Sequence, residues 1–239
     1  MSQVAENLAA VRERIEAAAR RSGRDPNGIA LMAVSKTQPV DAIRAAYDAG
    51  QRLFGENRVQ EFQEKSAQLT ELRPNQGDAS FHLIGHLQSN KTNAAAELFD
   101  AVDSVDSLNV LERLNLTAQR LGKILPVLLE INIGGEEQKP GLPPDFAVLN
   151  DILLAAPRLS AVKIRGLMTV PPNIEDPEKV RPYFKALREL RDKIAARRLT
   201  AITMDELSMG MSHDFEVAIE EGSTCVRIGT AIFGARNYA

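Results

Sequence analysis

Eight short apolar runs, separated by seven stretches of helical spacing, constrain this chain more than anything else in it. The runs are 29–35 (IALMAVS), 52–55 (RLFG), 80–85 (SFHLIG), 98–104 (LFDAVDS), 124–132 (ILPVLLEIN), 162–169 (VKIRGLMT), 205–209 (ELSMG) and 224–229 (TCVRIG). Helical patterns lie between them at 39–49, 57–70, 89–97, 107–121, 145–155, 176–198 and 213–221. Strands alternating with helices form parallel βαβ units. No Ser/Gly-rich or Pro-rich linker divides the series, and the proline-bearing stretches at 140–144 and 171–177 have the length of βα loops. The economical arrangement is one α/β domain over 1–239, a closed (β/α)8 TIM-type barrel. Ahead of it Val4, Leu8, Val11, Ile15 and Ala18 repeat at helical spacing and Gly23 supplies a stop, so an extra N-terminal helix is expected. An open doubly wound sheet satisfies the same periodicity, because spacing carries no information about closure.

A length of 239 residues allows one large core or two small ones and does not choose between them, since α/β barrels of about 250 residues form a single domain. The 29 basic residues are interleaved with 32 acidic ones for a net charge of −3, which offers no general attraction to nucleic acid or to an anionic membrane. Cys225 is the only cysteine, so an internal disulfide framework is excluded. No leader is visible and no apolar run approaches the roughly 20 residues that span a bilayer, so the cytoplasm is the expected location. His82, His86 and His213 are scattered and give a metal cluster little to build from.

In parallel barrels chemistry gathers at the C-terminal strand ends and the loops that follow. The unusual residues of this chain cluster there: Lys36, Gly55-Glu56-Asn57, Gly85-His86, Ser104, Asn132, Met168-Thr169, Ser208-Met209-Gly210 and Gly229-Thr230. Strand alternation groups Met32, Val34 and Lys36 on one face. If that face is the interior, desolvation favours the neutral amine, which can attack an aldehyde or ketone. A lysine whose stem packs while its head reaches solvent fits the same position.

In the last run Cys225, Arg227 and Gly229 share a face opposite Val226 and Ile228. The aliphatics belong against helices, which turns Arg227 inward, where a guanidinium needs acceptors. Gly229-Thr230 stands where many barrels bind phosphate with backbone amides, although a plain tight turn is equally consistent. Ser208 can donate toward the same place, with Gly210 relieving the turn, Ser212 as helix N-cap and Asp214 in the first helical turn. Asn57, with Gln60 three residues on, fits either a pocket or a helix cap. His82 and His86 are about 13 Å apart on an extended strand, so each takes its own hydrogen-bonding task. An amine for a carbonyl, a phosphate cradle and an interior arginine together fit a phosphorylated aldehyde, and pyridoxal 5′-phosphate meets all three demands.

AVSKTQP, LFGENRVQE, FHLIGHLQSNK, INIGGEEQKPGL, GLMTV, LSMGMSHDFEVAI and VRIGTAIFGAR resemble, in order, the blocks of the pyridoxal phosphate homeostasis protein family across residues ~1–236. The resemblance implies a fold-type III barrel of the alanine-racemase N-terminal kind, with the cofactor on Lys36 as an internal aldimine. It implies Ser208, Gly229 and Thr230 at the phosphate, Arg227 near the pyridine nitrogen and Asn57 in the pocket. Gly134 and Gly135 stand where the family often has serine and aspartate.

Racemases sharing this barrel use a further β-rich domain and a partner-supplied tyrosine, whereas this chain reaches Ala239 soon after the last strand run. Tyr47, Tyr183 and Tyr238 are poorly placed for a second acid/base. An arginine at the ring nitrogen also weakens the cofactor as an electron sink. The expected role is therefore to hold the cofactor and hand it to apo-enzymes, with Lys139 as a candidate acceptor during transfer. A cofactor-dependent amino-acid racemase or lyase is the alternative, and an aldolase using Lys36 without cofactor a weaker one. The family tends to be monomeric, and no heptad seam argues otherwise.

Overall fold

The computed structural model describes residues 2–74 and 76–234. Its first half runs α1 (Gln3–Arg21), β1 (Ala30–Val34), α2 (Val40–Asp48), β2 (Leu53–Glu56), α3 (Val59–Ser66), β3 (Ser80–Leu83), α4 (Thr92–Leu98) and β4 (Ala101–Val105). The second half runs α5 (Leu108–Arg120), β5 (Leu125–Glu130), α6 (Phe146–Ala155), β6 (Val162–Met168), α7 (Arg181–Ala195), β7 (Ile202–Ser208), α8 (Phe215–Glu220), β8 (Cys225–Ile228) and α9 (Thr230–Phe233). All eight strands pair in parallel and in chain order, and β1 pairs with β8 from Ala30 opposite Cys225 to Ala33 opposite Ile228. The sheet is closed, which excludes the open doubly wound alternative.

Helix α1 starts where the Ser2 side chain accepts from the Ala5 amide. It ends as the glycine stop requires: Gly23 has φ +68°, its amide donates to Arg20 and the Arg24 amide donates to Ala19. Its stripe Leu8, Val11, Ile15 and Ala18 is buried, and the helix packs on α8 and α9, where the Asn7 amide donates to the Ile232 carbonyl at 2.8 Å. Outward-facing strand residues meet the helices in a continuous apolar layer. Phe54 of β2 and Phe81 of β3 are register partners with ring centroids 5.2 Å apart, and Phe62 of α3 and Phe99 extend the row.

β7 begins three residues earlier than the sequence suggests. Met204 has φ +56° within the strand and the β6–β7 register shifts between Ile164 and Gly166, so ordinary alternation fails over Ile202–Asp205. The expected helix over 176–198 resolves into a single 3-10 turn at Pro177–Lys179 followed by α7. Among the described residues no helix is long and apolar enough to cross a membrane.

Candidate functional site

Alternation along the strands divides the barrel interior between a lower and an upper cavity. On β1 Met32 lines the lower one, while Val34 and, just past the strand's end, Lys36 line the upper. On β8 Cys225 lines the lower, while Arg227 and, just past the strand's end, Gly229 line the upper. Val226 and Ile228 lie in the outer apolar layer. Both inward faces are those expected from the sequence.

The upper cavity, about 310 Å³, opens at the C-terminal ends of the strands. Lys36, Asn57, Arg227, Gly229 and Thr230 converge on it, joined by Gln38, Asn173, Ser212 and His213. No carboxylate belongs to its described lining. Asn57 is not a helix cap: Arg58 holds the cap position of α3, without a side-chain bond to the helix. Room for the Asn57 side chain comes from Gly85, where a Cβ would lie 2.7 Å from the Asn57 amide group.

Arg227 is 3% exposed, with Nη1 donating to Ser208 Oγ and Nη2 to the Thr169 carbonyl, each at 2.8 Å. Burial lowers its pKa, and nearby Asp103, Glu130 and Asp214 pull the other way. A guanidinium starts so high that it remains a cation. Ser208 is fully buried with its hydroxyl engaged by Arg227, and it is absent from the cavity lining. The serine that lines the cavity is Ser212.

The reason lies in the turn after β7. Gly210 adopts φ +95°, and Asp214 rather than Ser212 stands at the cap of α8, its carboxylate accepting from the Met211 amide at 2.6 Å. Ser212 is thereby left in the turn, facing the ligand space instead of the helix.

Glu130, at the end of β5, is 5% exposed and its Oε2 has no hydrogen-bond partner. Burial pushes its carboxyl up to about 7, against the attraction of Arg227 and with added repulsion from Asp106. The two expected separate tasks for histidine are present: His82 Nδ1 is 3.1 Å from Asp103 and His86 Nδ1 is 3.0 Å from Asp106. Asn132 is a loop staple, its side chain bonding Glu136 and Lys139 backbone atoms. Lys139 Nζ is held by Glu136 at 2.6 Å and by the Pro171 carbonyl at 3.1 Å, off the cavity lining. Tyr47 bonds Asp78 on the surface and Tyr183, in α7, packs against the apolar layer; neither lines the cavity, and Tyr238 lies outside the described residues.

A family model described as alanine racemase, N-terminal domain, matches residues 7–237. The pyridoxal phosphate homeostasis protein of Aquifex aeolicus is 45% identical over 98% of this chain and 98% of its own length. Its namesake in Escherichia coli is 45% identical over 100% of this chain and 99% of its own. This chain belongs to the pyridoxal phosphate homeostasis protein family. The solved structure of PipY from Synechococcus elongatus with PLP bound matches with a TM-score of 0.82 and 39% identity, covering 97% of this chain and 100% of that one.

Within this family member, sequence reasoning missed Gln38, Asn173 and His213 on the lining and Glu130 beside Arg227. Gln38 had a usable signal, two residues beyond Lys36. Asn173 had another, in a loop following a strand's C-terminal end.

Proposed function

We propose that this chain binds pyridoxal 5′-phosphate in the upper cavity, is joined to it through Lys36, and takes part in intracellular homeostasis of that cofactor. The observation that carries this reading is a cavity with an amine at a strand tip, a buried guanidinium and several neutral donors, but no carboxylate on its described lining. Its size, about 310 Å³, lies at the lower end of small-molecule sites, which begin at roughly 300 Å³. The relatives named for this role, and PipY with PLP bound, support it.

When bound, the cofactor supplies an aldehyde that can form a carbon–nitrogen double bond with an amine, together with an anionic phosphate. Lys36 is the anchor. Gly229, Thr230 and Ser212 receive the phosphate, with Asn57 as a further polar contact; Ser208 acts through Arg227. A Cβ at Gly229 would reach only ordinary contact with Val34 at 3.5 Å, so packing does not demand glycine there, whereas close approach of a ligand to the backbone does. Arg227 is held by Ser208 and Thr169 as a fixed positive charge. Its field disfavours a proton on a ring nitrogen placed against it, which suits holding more than carbanion chemistry.

Release to apo-enzymes in the cytoplasm by a monomer completes the role, and a buried unpaired Cys225 suits a reducing compartment. Two-base exchange on an amino acid would need a second acid/base, and neither Tyr47 nor Tyr183 reaches the cavity. Titrating apo-protein with pyridoxal 5′-phosphate tests the reading: one equivalent should raise a band near ~420 nm that saturates. Absence of a saturable band, or steady turnover of an amino acid by the loaded protein, would contradict it.

A further inference from the structure

A second lysine stands behind the first. Lys36 is the second residue of a four-residue turn, Ser35–Gln38, closed by the Gln38 amide donating to the Ser35 carbonyl at 3.0 Å. Thr37, the third residue, has φ +62°. That position ordinarily takes glycine, and a β-branched side chain is strained in it. The turn therefore has to be held by its surroundings.

Both neighbours of Lys36 are tied into one ionic cluster. The Ser35 hydroxyl donates to Glu56 at 2.7 Å, and the Ser35 carbonyl accepts from Lys65 Nζ at 2.9 Å. The Thr37 amide donates to Glu61 at 2.5 Å. Lys65 joins the two carboxylates, 3.1 Å from Glu56 and 2.6 Å from Glu61. Glu56 ends β2 and is fully buried, and Lys65 is 9% exposed on α3. Glu61 and Lys65 are spaced i, i+4 along that helix. With three acceptors around it, the Lys65 ammonium is fully engaged and is no substitute anchor.

We propose that Lys65, with Glu56 and Glu61, is a positioning residue that fixes the strained Ser35–Gln38 turn and so aims the Lys36 amine at the cofactor's aldehyde. The proposal rests on the reading of the upper cavity as the pyridoxal 5′-phosphate site. The bond that forms joins the neutral Lys36 nitrogen to the aldehyde carbon, and the carbonyl oxygen leaves as water with both amine hydrogens. No other reactant is needed.

A cluster that merely fastened α3 to the barrel would affect every ligand of the cavity alike. Two measurements separate the roles. One is the rate at which apo-protein captures pyridoxal 5′-phosphate covalently, quenched with borohydride and read by mass. The other is the affinity for pyridoxine 5′-phosphate, which has the phosphate and ring but no aldehyde. Lys65→Met should slow capture about tenfold or more while analogue affinity stays within about twofold. Adding Thr37→Gly, which removes the backbone strain, should restore most of the rate. If Lys65→Met does not fold, Glu61→Ala removes the Thr37 contact from a half-buried helix face and should give the same pattern and the same rescue. Unchanged capture, or parallel loss of both ligands without rescue, would overturn the proposal. Wild-type protein that captures nothing would overturn the cavity reading itself, and the proposal with it.

Discussion

At the N-terminal mouth of the barrel, His82 stands 3.1 Å from Asp103 and Arg165 stands 3.0 Å from Glu206, around a cavity of about 380 Å³ that Asp205 and Cys225 also line. At the C-terminal mouth Lys36, Arg227 and His213 face a cavity of about 310 Å³ with no acid on its described lining. The same strands build both ends, yet the lower cavity is lined by acids paired with His82 and Arg165, and the upper one by cations and neutral polar groups without an acid on its described lining. Charges compensated within the fold contribute to its integrity, whereas donors gathered around a cavity suit an anionic ligand. Cys225 belongs with the first kind: burial pushes its thiol up to about 12, so it stays protonated and packs.

The hardest test of that contrast is to break the lower end. Burial works against the charged His82 ring, but Asp103, with Glu206 and Asp100, holds its pKa above the ordinary value. Below about pH 6.5, where His82 is charged, Asp103→Asn removes the main partner of a buried cation and should cost about 3 kcal/mol in chemical denaturation. Affinity for pyridoxal 5′-phosphate should stay the same, and a large loss of binding would erase the distinction between the ends. The stability from this pair is present below about pH 6.5 and is lost as pH rises through the folded value.

Glu130, beside Arg227, sharpens the contrast from the middle of the barrel. Its carboxyl is protonated in folded and unfolded chains alike well below 4.5, its ordinary value. Between there and about 7 the unfolded chain ionises first, so rising pH weakens the native state. Glu130→Gln should therefore stabilise apo-protein, by an advantage that grows about 2 kcal/mol from about pH 5.5 to about pH 8. Parallel stability curves for the two proteins would show that Glu130 is ionised in the native state across that range.

The smallest effect concerns one hydroxyl at the upper end. Thr230 is exposed at the start of α9, so Thr230→Val should leave the denaturation midpoint alone. It should weaken pyridoxal 5′-phosphate about tenfold, the loss of a hydrogen bond to a charged group. Equal affinity would remove Thr230 from the phosphate contacts.

Much of this was legible because β1 and β8 are short and regular. Two steps of alternation suffice to turn Met32, Val34 and Lys36, and likewise Cys225, Arg227 and Gly229, toward the interior. Legibility failed where the backbone leaves that rule. Met204 at φ +56° concealed the start of β7. The Gly210 turn and the Asp214 bond to Met211 put Ser212, rather than Ser208, on the cavity lining and gave the α8 cap to Asp214. The Lys65 cluster was half visible, since the i, i+4 spacing of Glu61 and Lys65 could be read as an ordinary helix pair. Its convergence with Glu56 on the flanks of Lys36 exists only once α3 brings Lys65 to the C-terminal ends of β1 and β2.

Reduction of the cofactor-loaded wild-type protein with borohydride, followed by peptide mass mapping, bears most directly on the upper mouth as the binding end. A pyridoxyl group on the peptide that carries Lys36 is the expected result. Its presence only on another lysine, such as Lys139 or Lys65, would contradict the assignment of the strand-tip amine as the anchor.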